Sequence, residues 1–156
     1  MKTFLIIITA VLFTNLTVKG QNLFLIGEKS YPCTKAITLE SNAQYQPDLD
    51  LFVAKDGKTG LLGVNTKSLM DEEFSGKLII YLEDGNVLTC NESEESENVD
   101  NRPKALYLLT SDQLNKLKTS KIHTVKYSLE SIEVNNYSAS NKGIATNALI
   151  SEFFNE

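Results

Sequence analysis

His123 is the single histidine of the chain, and histidine is the side chain whose ordinary pKa lies closest to neutral pH. Hydrolysis by a serine–histidine–aspartate set requires an activated serine beside the imidazole, and the sequence has no Gly-x-Ser-x-Gly turn to present one. His123 falls instead in an alternating segment, where it shares a face with Val125 and Tyr127. The pattern predicts a partly buried structural histidine and not a general base.

Two carboxylates offer the other route to acid–base chemistry. Asp48 and Asp50 stand two residues apart in a predicted strand, so their side chains share one face. Paired carboxyl groups at a suitable separation hydrolyse glycosidic bonds. Any acidic strand edge gives the same pattern, so a small carboxylate-dependent hydrolase stays an alternative, and we predict no catalytic residue.

Gly57-Lys58-Thr59 matches the end of a phosphate-binding loop. The complete motif has a glycine five residues before the Gly-Lys pair, and Phe52 stands there. It also needs a helix to follow, whereas the residues from 61 to 64 read as a strand. The segment therefore predicts a hairpin loop, and we predict no cofactor-binding residue.

An acidic run occupies residues 92–100 and contains one apolar residue, Val99. Carboxylates are ligands for Ca²⁺, but the run lacks the alternating Asp and Asn and the central glycine of a calcium loop. Repelling charges without a core residue are typical of a mobile, solvated loop. We predict such a loop and no metal site, and we expect its replacement by a short Gly-Ser link to lower stability by less than about 1 kcal/mol.

Cys33 and Cys90 are the two cysteines of the chain. In an exported protein an even number of cysteines favours pairing, so the sequence predicts a Cys33–Cys90 disulfide. Two buried free thiols are the alternative, because cysteine is among the most buried side chains.

Residues 1–20 have the three parts of a cleavable signal peptide. Lys2 is followed by an apolar run over 4–13, and Val18-Lys19-Gly20 ends the segment before Gln21. About ten apolar residues cover roughly 15 Å, half the thickness of a bilayer core, which disfavours the alternative of an uncleaved anchor. We therefore expect a secreted or periplasmic protein that begins at Gln21, with residues 21–156 forming a single exported domain.

The net negative charge of the chain excludes some classes of binding partner. The formal net charge is −5, and removal of Lys2 and Lys19 with the signal peptide changes it to −7. Nucleic acids and anionic membranes both require clustered Lys and Arg. A protein partner is therefore expected, with no nucleic acid and no membrane contact after cleavage.

Hydrophobic periodicity places strands first and helices late. Asp84-Gly85 is typical of a two-residue hairpin turn, which would set Leu82 opposite Val87 in a strand pair covered on both faces. Thr110 and Gln113 form a capping box for a helix that ends near Thr119. With strands on either side, that helix favours a parallel βαβ unit. A last helix is predicted over 142–154.

These elements predict an α+β fold with an antiparallel or mixed sheet of about five to seven strands and two helices packed on it. The function favoured by the absence of a catalytic constellation is a non-catalytic binding or inhibitory module. The hydrolase and a subunit of an envelope or surface assembly are the alternatives. Edge strands at 22–26 and 49–53 are the expected contact surfaces, since an edge offers unpaired backbone groups to a partner.

Overall fold

The computed structural model describes residues 21–155. The predicted signal peptide, residues 1–20, lies outside the described residues, as does Glu156. The elements in chain order are β1 (Asn22–Ile26), β2 (Lys29–Cys33), β3 (Ile37–Ser41), β4 (Leu49–Asp56), β5 (Thr59–Asn65), β6 (Glu73–Leu82), β7 (Val87–Cys90), β8 (Glu95–Val99), β9 (Arg102–Leu109), α1 (Ser111–Thr119), β10 (Ile122–Glu130), β11 (Val134–Ser140) and α2 (Thr146–Asn155).

Within residues 21–155 the eleven strands form one sheet in which every pairing is antiparallel. Neighbouring strands follow the order β7-β6-β10-β11-β3-β4-β5-β9-β8, with β2 joined to β4 and β1 joined to β2. The predicted α+β fold with five to seven strands is therefore wrong: the protein is mostly antiparallel β with two short helices. The prediction missed β2, β8 and β11, whose polar sequences do not show the alternation of a half-buried strand.

The predicted parallel βαβ unit is also wrong. β9 pairs with β5 and β8, whereas β10 pairs with β6 and β11, so the strands on either side of α1 are not neighbours. Local sequence shows a strand, a helix and a strand in succession, but each strand pairs with its hairpin neighbour on one side and with a strand distant in the chain on the other.

The sheet bends so that β6 contacts β8 and β9, which are far from it in strand order. The inward side chains of β4 and β5 then share one hydrophobic core with those of β6 and β10. Its fully buried residues include Leu51, Val53, Leu62, Val64, Leu78, Ile80, Val125 and Leu129. This core fixes the register of the long strands, because a slip of one residue would turn every apolar side chain outward.

A second, smaller core lies on the outer face of β4, β5 and β9. There the β1–β2 hairpin covers the sheet, and Phe24, Ile26 and Cys33 pack with Ala54, Leu61 and Leu106. β5 has a glycine beneath this hairpin: a Cβ atom on Gly63 would stand 2.8 Å from ring carbons of Phe24. The absence of a side chain at Gly63 lets the Phe24 ring lie against the sheet.

The hairpin between β6 and β7 forms where the sequence predicts it, but in a different register. Tyr81 pairs with Val87 and Leu78 with Cys90, so the turn has three residues in place of two. Gly85 ends that turn with φ of +86°, the left-handed conformation that a three-residue hairpin loop requires. The extra residue places Leu78 and Cys90 on the same inward face, and β7 lies at an end of the strand order and not in its middle.

The capping box of α1 is confirmed. The Thr110 hydroxyl accepts a hydrogen bond from the Gln113 backbone N–H at 3.2 Å, and the Gln113 side chain accepts one from the Thr110 N–H at 2.9 Å. The last helix starts at Thr146, four residues later than predicted. Its first turn is fixed by a tertiary contact, since the Thr146 hydroxyl accepts the N–H of Ile122 at 2.8 Å.

The predicted mobile loop at 92–100 is wrong over most of its length, because Glu95–Val99 forms β8 and pairs with β9. Asp100 and Asn101 make the two-residue turn between these strands, both with positive φ, at 54° and 55°. Asp and Asn tolerate that conformation better than other residues with side chains. Asp100 and Asn101 are residue types that favour such a turn, but the acidic residues before them led to the prediction of a loop.

Candidate functional site

His123 is exposed, and its Nδ1 lies 2.9 Å from the Thr124 hydroxyl oxygen. A register shift between Ile122 and Thr124 interrupts the alternation of β10, so Ile122 and Val125 face inward while His123 does not. The predicted partly buried position of His123 is therefore wrong.

Asp48 and Asp50 line one shallow depression of about 500 Å³ with Thr38, Lys67 and Arg102. Both carboxylates accept hydrogen bonds that hold the backbone: Asp48 Oδ1 from the Ser41 N–H at 2.9 Å, and Asp50 Oδ1 from the Thr38 hydroxyl at 2.6 Å. The sequence pattern correctly placed the two together. Among the described residues no hydrogen bond joins His123 to Asp48 or Asp50, so the two predicted sets do not form one site.

Cys33 and Cys90 are both buried free thiols in this structure. Cys33 belongs to the small core under the β1–β2 hairpin, and Cys90 belongs to the main core on the other face of the sheet. Burial raises the pKa of each thiol to about 11. The predicted Cys33–Cys90 disulfide is not present in this structure and stays a prediction, and as free thiols both groups are held in the unreactive protonated state.

We expect the folded protein at pH 8 to react slowly with a thiol reagent and to release two equivalents of reactive thiol in denaturant without a reductant. The raised pKa values mean that the folded state holds the thiol protons more tightly than the unfolded state. Stability from these groups is therefore present below the unfolded pKa of about 8.5 and is lost as pH rises toward 11. Labelling that requires prior reduction would show that Cys33 and Cys90 are bonded.

Over residues 21–155, no group of three or more His, Cys, Asp or Glu side chains is arranged to hold a metal ion. Neither described helix is long and apolar enough to cross a membrane.

Three loops adjoin one another on the surface. The Thr66 hydroxyl joins loop 66–72 to loop 42–48 by a hydrogen bond to the Asp48 carbonyl, and Asp71 and Ser131 line one depression between loops 66–72 and 131–133. The backbone N–H of Asn42 donates to the Ser138 carbonyl at 2.9 Å, which joins the first loop to the β11 strand rising from the third. We call this surface the loop end; it comprises loops 42–48, 66–72 and 131–133.

The loop end exposes large apolar side chains at its tips. Tyr45 is 81% exposed, Leu69 84%, Met70 58% and Ile132 93%. Single exposed apolar residues are common on protein surfaces, but a group of them on adjacent loops is typical of an interaction surface.

The loop 66–72 is fixed at its base by buried polar contacts. The Thr66 hydroxyl donates to the Asp48 carbonyl at 2.9 Å, and the Ser68 N–H donates to the Asn101 carbonyl at 2.8 Å. The Ser68 hydroxyl donates to the buried carboxylate of Glu72, and Asn98 Nδ2 donates to the Glu72 carbonyl at 2.7 Å. Leu69 and Met70 are therefore presented on a loop whose conformation is already set.

Aromatic side chains form the floor beneath the loops. The rings of Phe74 and Tyr127 have centroids 5.6 Å apart, and those of Tyr127 and Tyr137 are 5.7 Å apart. Burial raises the pKa of Tyr127 to about 12, and burial followed by the nearby Glu72 charge raises the pKa of Tyr137. These phenols stay neutral at physiological pH and act as packing surface for the loops.

Carboxylates lie next to the apolar tips in the sequence, since Asp71 follows Met70 and Glu133 follows Ile132. Glu73 and Glu130 stand directly opposite each other in the β6–β10 pair, and Asp71 and Glu133 flank them in the adjoining loops. All four are exposed, and none forms an ion pair with a described residue. Asp71, Glu73 and Glu130 line a depression of about 310 Å³.

The sequence did not predict the loop end. The expected contact strand at 49–53 is internal, because β4 has β3 on one side and β5 on the other. The available signal was Leu69-Met70 between polar residues in a stretch without strand or helix periodicity. Apolar residues with no element to bury them are the pattern that should have indicated an exposed tip.

Comparison of the chain with protein-family models, with curated proteins and with solved structures gives no match.

Proposed function

We propose that this protein is a non-catalytic binding module that docks a partner protein through the loop end. The observation that carries the proposal is the exposure of Tyr45, Leu69 and Ile132, each at least four-fifths accessible, on three adjoining loops. Aromatic and aliphatic anchors of this kind dominate the affinity of protein interfaces when they enter pockets on a partner.

The fixed conformation of the loops supports the same proposal. Binding requires loops to lose conformational freedom, and a loop already held in place loses less. The buried contacts of Thr66, Ser68 and Glu72 supply that order before a partner arrives. The proposal keeps the export of residues 21–156 after signal cleavage, which sets the partner outside the cytoplasm.

The experiment is a comparative capture from the protein's own extracellular or periplasmic medium. The test variant is Leu69→Ser/Ile132→Ser, and the matched control is Val87→Thr/Leu108→Thr, which alters two apolar side chains that are 52% and 49% exposed on strands away from the loop end. We expect the test variant to bind its partner at least tenfold more weakly, since loss of one interface anchor typically costs about 2 kcal/mol or more. The control is expected to bind like the native protein.

Both variants should retain the native melting temperature within a few degrees, since exposed substitutions usually change stability by less than about 0.5 kcal/mol. Equal capture by all three proteins would overturn the proposal. Equal losses in the test and control variants would also contradict it, because the loss would then not depend on the loop end.

A further inference from the structure

The four carboxylates at the loop end do not serve the fold. Glu73 and Glu130 are directly opposite each other on adjacent strands, and like charges in that position destabilise a sheet. Among the described residues, no lysine or arginine nitrogen lies within ion-pair distance of Asp71, Glu73, Glu130 or Glu133. A like-charged cross-strand pair that no other contact compensates is the kind of unfavourable feature that is expected at functional positions.

A metal ion does not account for this charge. The carboxylates are not arranged as a group of three or more that could hold a cation within residues 21–155. Positive charge on another molecule is a complement for these exposed carboxylates, and it would approach the surface on which Leu69, Met70 and Ile132 are exposed.

The combination of negative charge and apolar surface limits the classes of molecule that can bind the loop end. Anionic lipid and nucleic acid would be repelled by Asp71, Glu73, Glu130 and Glu133. A lone basic segment would leave the apolar tips in water, whereas a purely apolar surface would leave the carboxylates desolvated and unpaired at the rim. One surface satisfies both: an apolar centre surrounded by Lys and Arg.

We propose that the partner of the loop end is a protein surface with an apolar centre and a basic rim, and that Asp71, Glu73, Glu130 and Glu133 select it. This inference rests on the proposed binding function and adds the chemistry of the partner. The acidic rim raises the association rate with basic partners and rejects acidic ones.

The first test uses two synthetic peptides as probes, one alternating leucine with lysine and one alternating leucine with glutamate. Their binding to the mature protein is measured by calorimetry at about 20 mM and about 300 mM salt, which shortens the screening length severalfold. We expect the lysine peptide to bind at least tenfold more tightly than the glutamate peptide at low salt, with most of that preference lost at high salt. No binding of the lysine peptide, or equal binding of both, would overturn the inference.

The second test separates local charge from net charge. Glu73→Gln/Glu130→Gln removes two charges at the loop end, and Glu28→Gln/Glu92→Gln removes two exposed charges elsewhere, so both variants have the same net charge. The first variant is expected to weaken lysine-peptide binding by about tenfold and to flatten its salt dependence, while the second stays within about twofold of native. Equal effects of the two variants would contradict selection by the loop end.

The same variants distinguish this inference from the proposed function. If Leu69→Ser/Ile132→Ser abolishes capture of the natural partner but Glu73→Gln/Glu130→Gln leaves it unchanged, the binding function stands and the basic partner is wrong. If sedimentation shows that the protein instead associates with its own copies, and the loop-end variants abolish that association, the occupant is a second copy and the inference is also wrong.

Discussion

Replacement of Phe24 by alanine is expected to lower the free energy of unfolding by about 3 to 5 kcal/mol, the usual loss for a large aromatic side chain removed from a core. Phe24 is 3% exposed and its ring centroid lies 5.3 Å from that of Phe52. Its ring also fills the space left by Gly63 on β5. Alanine at position 24 would leave a cavity between the β1–β2 hairpin and the sheet.

Chemical denaturation measures this loss, and neighbouring positions on the same strand supply the control. Leu23 and Leu25 are 52% and 56% exposed, so either one replaced by alanine should change stability by less than about 0.5 kcal/mol. A second variant tests the contact from the other side: Gly63→Ala would set a Cβ atom 2.8 Å from the Phe24 ring and should also be destabilising. A small loss for Phe24→Ala would mean that the hairpin does not cover this core.

Replacement of residues 92–100 by a short Gly-Ser link is expected to destabilise the protein by about 3 kcal/mol or more, in contrast to the small effect that the sequence predicts. The replacement removes the β8 ladder, and each hydrogen bond of a ladder contributes about 0.5 to 1.5 kcal/mol. It also removes Glu97, whose carboxylate accepts the Gly27 N–H at 3.0 Å and lies 3.5 Å from Lys104 Nζ.

The same replacement should affect the loop end, because Asn98 holds the Glu72 carbonyl at the base of loop 66–72. Equilibrium unfolding in urea gives the stability, and Glu92→Ser is the matched control, since Glu92 is exposed and lies outside β8. A loss below about 1 kcal/mol for the full replacement would restore the earlier interpretation of a spacer, because loop length alone has little effect on stability.

Local signals in the sequence were reliable where the physical cause was local. The capping box at Thr110 and Gln113 depends on residues three apart, and it forms as predicted. The Gly57 turn likewise needs a residue that accepts a positive φ, and Gly57 has φ of +58° between β4 and β5. Long alternating strands such as β4 and β10 were also predicted near their observed positions.

The surroundings of the candidate functional residues were harder to predict, because the sequence gives the residue types but not which side chains lie near one another in space. Asp48 and Asp50 proved to share a depression, as their spacing requires. His123 faced solvent because a bulge in β10 shifted its alternation. The exposed residues Leu69 and Ile132 lie outside any periodic hydrophobic pattern, so the sequence did not predict their exposure. The pairing of Glu73 with Glu130 follows from the strand register, which the sequence does not give.

The sequence by itself determined the local elements: an alternating pattern for the long strands, a capped helix at Thr110 and turns at glycines. Tertiary structure decided which strands pair, that the polar segments β2, β8 and β11 join the sheet, and which loops adjoin one another. The physical reason is that β2, β8 and β11 gain their backbone hydrogen bonds by pairing with a neighbouring strand, and the side-chain pattern of a polar strand does not show that pairing. Glu97 contacts Gly27, seventy residues away, and that pairing leaves no mark in the local sequence.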